Sequence, residues 1–164
     1  MKATPFWDWA LAQYRSEATQ DLLLRLQQEA DLVILEALFV SWLASEGYQW
    51  RSEDALQLRD ATQDWIDEVV LPLRAVRERW KRDAGMEASR RHLLELEVEA
   101  ERHLAELMWA NSESARSEAI SAAPSPMRAT QHQMNSNLLA LPVFQNGKYA
   151  SEREQLVALL LEST

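Results

Sequence analysis

The chain has 164 residues, 47% of them apolar and 26% charged, and carries a formal net charge of −9. That balance describes one soluble globular domain with its own core, and so acidic a chain repels phosphate backbones, which argues against general nucleic-acid binding. Without cysteine there is no thiol nucleophile or thiolate metal site, and glycines as far apart as Gly47, Gly85 and Gly147 cannot build a phosphate-cradling loop.

Thr4-Pro5 reads as an N-cap followed by proline at the first helical position, which predicts a helix over 5–15. Its apolar arc holds Phe6, Trp7, Ala10, Leu11 and Tyr14, and Trp9 falls outside. Ser16 caps a second helix to about residue 29, with Ala18, Leu22, Leu23 and Leu26 inward. Residues 32–45 are apolar on every side except Glu36 and Ser41, the pattern of a central helix enclosed by others. Gly47 stands where a left-handed C-cap belongs. From Ser52, the recurrence of Leu58, Ala61, Trp65, Val69, Leu73, Val76 and Trp80 at threes and fours predicts one long helix, kinked or broken at Pro72. Trp42, Trp65 and Trp80 are core by spacing. A further helix over 86–109 buries Leu93, Leu96, Ala100, Leu104 and Leu107.

Ser, Ala and Pro accumulate after Asn111, which reads as a linker over 111–128. Beyond it, Met134, Leu138, Leu139 and Leu141 suggest a short helix stopped by Pro142, and Ser151-Glu152-Arg153-Glu154 is a capping box opening a last helix to about residue 162. The expected fold is therefore all-α: a bundle core over 1–110 with about five main helices, the linker, and a C-terminal helical segment over 129–164 packing on the core or on a partner. No stretch approaches the ~20 apolar residues of a membrane span, and the N-terminus lacks the continuous apolar run of a signal peptide. The expected address is the cytoplasm.

Few residues carry candidate chemistry. His92 and His103 share a helix flank but stand roughly 16 Å apart at 1.5 Å per residue, too far to share an ion, so neither a metal nor a cofactor is expected. Glu36 is the odd charge in the central helix and must reach the rim, pair with arginine, or titrate upward. The basic residues concentrate in one place: residues 74–91 hold 7 basic and 3 acidic side chains, against 5 and 13 in residues 1–73. Within that segment Arg74, Arg77 and Lys81 form a ridge suited to an acidic partner or to phosphate groups, unless they pair with acidic faces of neighbouring helices. Trp9 and Trp50 are left without an evident burial site, which makes them candidates for a partner surface or for contacts with the C-terminal helices.

Three stretches resemble a family. Phe6-Trp7-Asp8-Trp9-Ala10 with Tyr14, the helix ending Leu38-Phe39-Val40-Ser41-Trp42-Leu43, and Val69-Val70-Leu71-Pro72-Leu73-Arg74-Ala75-Val76-Arg77 are together similar to a small, largely proteobacterial family of uncharacterised all-helical proteins. The resemblance covers about residues 5–107, with Pro-Leu-Arg-x-x-Arg its most specific part. Relatives place a polar triplet of the Asp-Val-Asn type before the central helix, where the nearest match here is Val33-Ile34-Leu35. The resemblance implies a cytoplasmic helical bundle and supplies no activity. The residues themselves favour a non-catalytic protein that binds another protein through a helical face. The alternatives are a ligand-binding or enzymatic bundle with an interhelical pocket, in which Glu36 or Arg74 carries the polar contact, and a self-associating structural protein.

Overall fold

Every position from Leu35 to Ala44 is buried, and the other helices are arranged around that segment. The computed structural model describes residues 4–117 and 127–162. Among these residues the fold is all-α, with no strand. The helices are α1 (Thr4–Tyr14), α2 (Glu17–Ala30), α3 (Ile34–Ser45), α4 (Ser52–Trp65), α5 (Leu71–Trp80), α6 (Glu87–Ala110), α7 (Glu113–Ser117), α8 (Met127–Leu139) and α9 (Ala150–Glu162). Each large apolar side chain withdrawn from water contributes about 1.5–3 kcal/mol, so a helix apolar all round is stable only when enclosed. α1, α2, α6 and α8 enclose α3, and α9 packs on α2 and α8. Aromatic rings fill the centre: Phe6 meets Phe39 edge-on at 5.0 Å, Trp50 meets Phe39 edge-on at 6.0 Å, and Trp42 lies 5.8 Å from Trp109.

The helix ends follow from their residues. Ser16 accepts the Thr19 N–H at 3.4 Å and so caps α2. α3 stops in a Schellman arrangement: the Tyr48 N–H reaches the Leu43 carbonyl at 2.8 Å and the Gly47 N–H reaches Ala44 at 3.1 Å. Gly47 adopts φ 87°, which a side chain would resist. α4 begins at Ser52 itself, and the Arg51 N–H before it is satisfied by the Asp54 carboxylate at 2.8 Å.

The long helix expected from residue 52 is interrupted one turn ahead of Pro72. Residues Ile66–Val70 form a π-turn, in which the Leu71 N–H donates to the Ile66 carbonyl five residues back. Proline has no N–H to donate, and the widened turn absorbs the fault without a break. The apolar stripe therefore does not continue straight. No residue of α5 is fully buried, Trp80 is half-exposed and Val76 is 39% exposed. Ala18, Ala61 and Leu96 also lie outward, not inward as their spacing predicts. α5 and α6 form a hairpin around Gly85 (φ 88°) whose far end has few other helices to bury against.

The C-terminal segment is docked on the chain's own core. Met134, Leu138, Leu141, Phe144, Leu156, Val157 and Leu160 are all buried in the same cluster as α3. Part of the expected linker is helix α7, where Ala115 is buried and the Arg116 guanidinium lies 3.7 Å over the Trp109 ring. The rest, residues 118–126, lies outside the described residues. The last helix starts at Ala150, after Tyr149 turns the chain at φ 52°, so Ser151 sits inside the first turn and not at the cap. No helix among the described residues is long and apolar enough to cross a membrane.

Candidate functional site

The basic ridge divides. Arg77 turns inward against α6, with Nε donating to both Glu97 oxygens at 2.7 and 3.0 Å and Nη1 donating to Glu78 at 2.6 Å. Arg77 and Glu97 are 17% and 15% exposed, so this is a well-shielded, charge-assisted pair. Lys81 reaches Glu78 at 3.7 Å from an exposed position, where such a pair contributes little. Arg74 lies between these extremes. Its side chain is 27% exposed and makes no hydrogen bond among the described residues, and its one ion-pair partner there is Glu101, itself 41% exposed, at 4.0 Å.

Arg74 and Arg77 face a cleft of about 270 Å³ walled by Trp7, Leu11 and Tyr14 of α1, Leu38 of α3, and Leu94, Glu97 and Glu101 of α6. A second hollow of about 380 Å³ shares Gln27, Ile34, Leu35, Arg74 and Glu101 with it and runs on to Asp31, Arg59 and Asp67. The electrostatics are those of a walled site. Burial raises the Glu101 pKa above the ordinary 4.5, Arg74 and Arg77 oppose the shift, and neighbouring Glu97 adds to it. Burial and the Glu101 charge also raise Tyr14, so its hydroxyl holds its proton firmly. The three stretches that carry the family resemblance, far apart in sequence, each supply wall residues: Trp7, Ala10 and Tyr14, then Leu38, then Arg74 and Arg77.

Glu36 belongs to a different wall. It is 2% exposed, and Arg59 Nη2 donates to both its oxygens at 3.0 and 2.9 Å. Burial raises its pKa in spite of that partner. A hollow of about 700 Å³ beside it is lined by Glu29, Asp31, Arg59, Lys148 and Tyr149, yet among the described residues no second acid or base hydrogen-bonds to Glu36. The two tryptophans also part company. Trp50 is 2% exposed, its backbone N–H bonded to Asn137 of α8 at 2.9 Å, so it is a core contact to the C-terminal helices and presents no free surface. Trp9 is half-buried against the core with its Nε1 unpartnered, away from the cleft. The His103 ring lies 4.3 Å from Trp65 at a tilt of 57°, and His92 is exposed beside Glu95. Among the described residues no group of three or more ligating side chains is placed to hold a metal ion.

Tyr14, Glu97 and Glu101 were not singled out by sequence reasoning as site residues, although a signal existed. Across the α5–α6 hairpin, Arg77 faces Glu97 and Arg74 faces Glu101, the pairs stepping away from the turn in order. A basic i, i+3 pair before a turn and an acidic i, i+4 pair after it mark facing charges.

The family model described as "Protein of unknown function (DUF2390)" matches residues 5–108, and the chain belongs to that family. Every residue lining the 270 and 380 Å³ hollows falls inside the matched span. No curated protein matches the chain, and no solved structure does.

Proposed function

Starting from membership of that family, we propose that the protein is a non-catalytic binding protein of the cytoplasm, with an adaptor or regulatory role, and that the cleft between α1, α3, α5 and α6 is its recognition site. The observation that carries this reading is the convergence of the three resemblance stretches on one apolar-walled cleft with charged groups at fixed positions, the usual composition of a ligand site. The ionisable groups there are matched acid–base pairs and not a nucleophile beside a base, which favours binding over chemistry. The test is titration of the full chain with a neutral apolar dye, N-phenyl-1-naphthylamine. One saturable site is expected, weakened about tenfold or more by Leu94→Trp, which adds bulk at a rim position already 37% exposed. No saturable site, or equal affinity in both proteins with unchanged helicity, sinks the reading.

Self-association is a second reading with its own observation. Val76, Leu96 and Val98 are 39%, 51% and 52% exposed on the α5–α6 hairpin, which also carries exposed Arg79, Lys81, Arg82 and Arg91. Asp60, Asp64, Asp67 and Glu68 form an exposed acidic face further along the molecule that such an end fits. It predicts a mass that rises with concentration in light scattering and returns to the monomer value in a Leu96→Glu, Val98→Glu variant. A constant monomer mass ends it.

A further inference from the structure

Arg74 stands with its donors unspent. Its guanidinium offers five N–H groups and engages one carboxylate at the limit of ion-pair range, while Arg77, three residues on, already hydrogen-bonds Glu97 through Nε and Glu78 through Nη1. The Tyr14 hydroxyl, facing the same cleft, also makes no hydrogen bond among the described residues. We propose that the cleft binds a small apolar carboxylic acid, its carboxylate held by the Arg74 guanidinium and the Tyr14 hydroxyl and its apolar body lodged among Trp7, Leu11, Leu38 and Leu94. This deepens the binding reading above and rests on it.

The choice of an anion over a cation follows from an asymmetry between the two charges in place. A ligand amine seated on Glu101 would strip Arg74 of its counter-charge, and arginine cannot discharge itself by losing a proton. A ligand carboxylate seated on Arg74 displaces Glu101, which discharges by gaining one. Glu101, whose side chain is 41% exposed at the cleft edge, is open to that gain, and the partial desolvation it undergoes raises its pKa. The groups facing it allow the exchange: Arg74 and Arg77 from α5, Tyr14 from α1, Glu97 on α6 itself, and Asp31, Arg59 and Asp67 across the adjoining hollow. Binding is therefore coupled to proton uptake. The size follows from the volume, because about 270 Å³ at the ~30 Å³ a water occupies in the liquid admits roughly nine non-hydrogen atoms. An acid of six to eight carbons, or a phenyl-substituted short acid, is of that size.

Calorimetric titration of the full chain with octanoate, octanol and octylamine at about pH 6 and pH 8 tests the proposal. Octanoate is expected to bind more tightly than either analogue, and more tightly at the lower pH. Arg74→Gln should weaken it about tenfold or more, the loss of a charge-assisted contact, and Tyr14→Phe by a smaller factor. Glu101→Gln should tighten binding at pH 8 and abolish the pH dependence, which a purely structural role for Glu101 would not do. If Arg74→Gln fails to fold, Arg74→Lys, which keeps the charge without the fork, should give an intermediate loss. Octanol binding as tightly as octanoate, or octanoate affinity indifferent to Arg74 and Glu101, overturns the acid while leaving the cleft as a binding site. If no eight-carbon probe binds and the neutral dye finds no site, the cleft reading falls with it.

Discussion

Asn137 joins the C-terminal helices to the centre of the molecule, and its removal has a calculable cost. The side chain is 0% exposed and all four of its hydrogen-bonding positions are filled. Oδ1 accepts from the Trp50 N–H at 2.9 Å and from Gln133 at 2.7 Å, and Nδ2 donates to the carbonyls of Val40 at 2.9 Å and Tyr48 at 3.0 Å. In Asn137→Ala, Gln133 rotates toward solvent at little cost and Val40, inside α3, keeps its intrahelical partner. The Trp50 N–H and the Tyr48 carbonyl are stranded, at about 1–3 kcal/mol for each group cut off from water. The sum is about 2–6 kcal/mol, a large share of the 5–15 kcal/mol typical of a whole domain. Urea unfolding followed by tryptophan fluorescence measures it, with an unchanged m-value confirming that the native and unfolded states are otherwise alike. Asn137→Leu, which fills the space but restores no bond, should cost at least as much and so separates the lost bonds from a cavity. If both variants unfold within about 1 kcal/mol of the parent, the carboxamide is not what ties α8 to α3, and the reasoning fails.

The remaining predictions concern charge and chain length. Because the folded-state pKa of Glu36 is raised above 4.5, its protonated form favours folding, so its contribution is fully present below that value and is lost as pH climbs through the raised pKa. Glu36→Gln should flatten the stability profile across that window and leave the protein at least as stable at neutral pH; a loss beyond about 1 kcal/mol there would show that Arg59 outweighs burial. Arg77→Gln leaves the shielded Glu97 unmatched and should cost about 1–3 kcal/mol in thermal or urea unfolding, whereas Lys81→Gln should change stability by less than about 0.5 kcal/mol. A chain ending at residue 117 uncovers the α8 side of α3 and should melt without a cooperative transition, binding apolar dyes nonspecifically; a sharp two-state melt would show that residues 4–117 suffice.

The central helix was legible because nothing else in the chain is apolar on all sides, and the α2 cap because Ser16 stands directly before its helix. Other features depend on contacts that periodicity does not encode. Met134, Leu138, Leu156 and Leu160 announce apolar faces, but spacing cannot say whether such a face meets its own core or a partner, and the change in composition at Asn111 marks a change in polarity, not the edge of the packing. Trp80 and Leu96 follow the helical rhythm correctly, yet Trp80 is only half-buried and Leu96 is exposed, since the hairpin outruns the helices that would cover it. Arg74 and Arg77 were visible as a ridge, and their orientation was not, because the π-turn before them shifts the phase. Trp50 looked stranded in a loop until Asn137, 87 positions away, supplied its partner.

That π-turn has a consequence for how the chain tolerates insertions and deletions. It contains one residue more than a regular α-helical turn would need, and at about 100° per residue that surplus dials every later side chain by more than a quarter of a revolution. Excising a single residue between Ile66 and Val70 would restore a regular turn there, return to the helix the proline fault that the wide turn absorbs, and aim Arg74 and Arg77 elsewhere. The segment behaves as an indexing wheel, and a length change of one residue there would disarm the cleft.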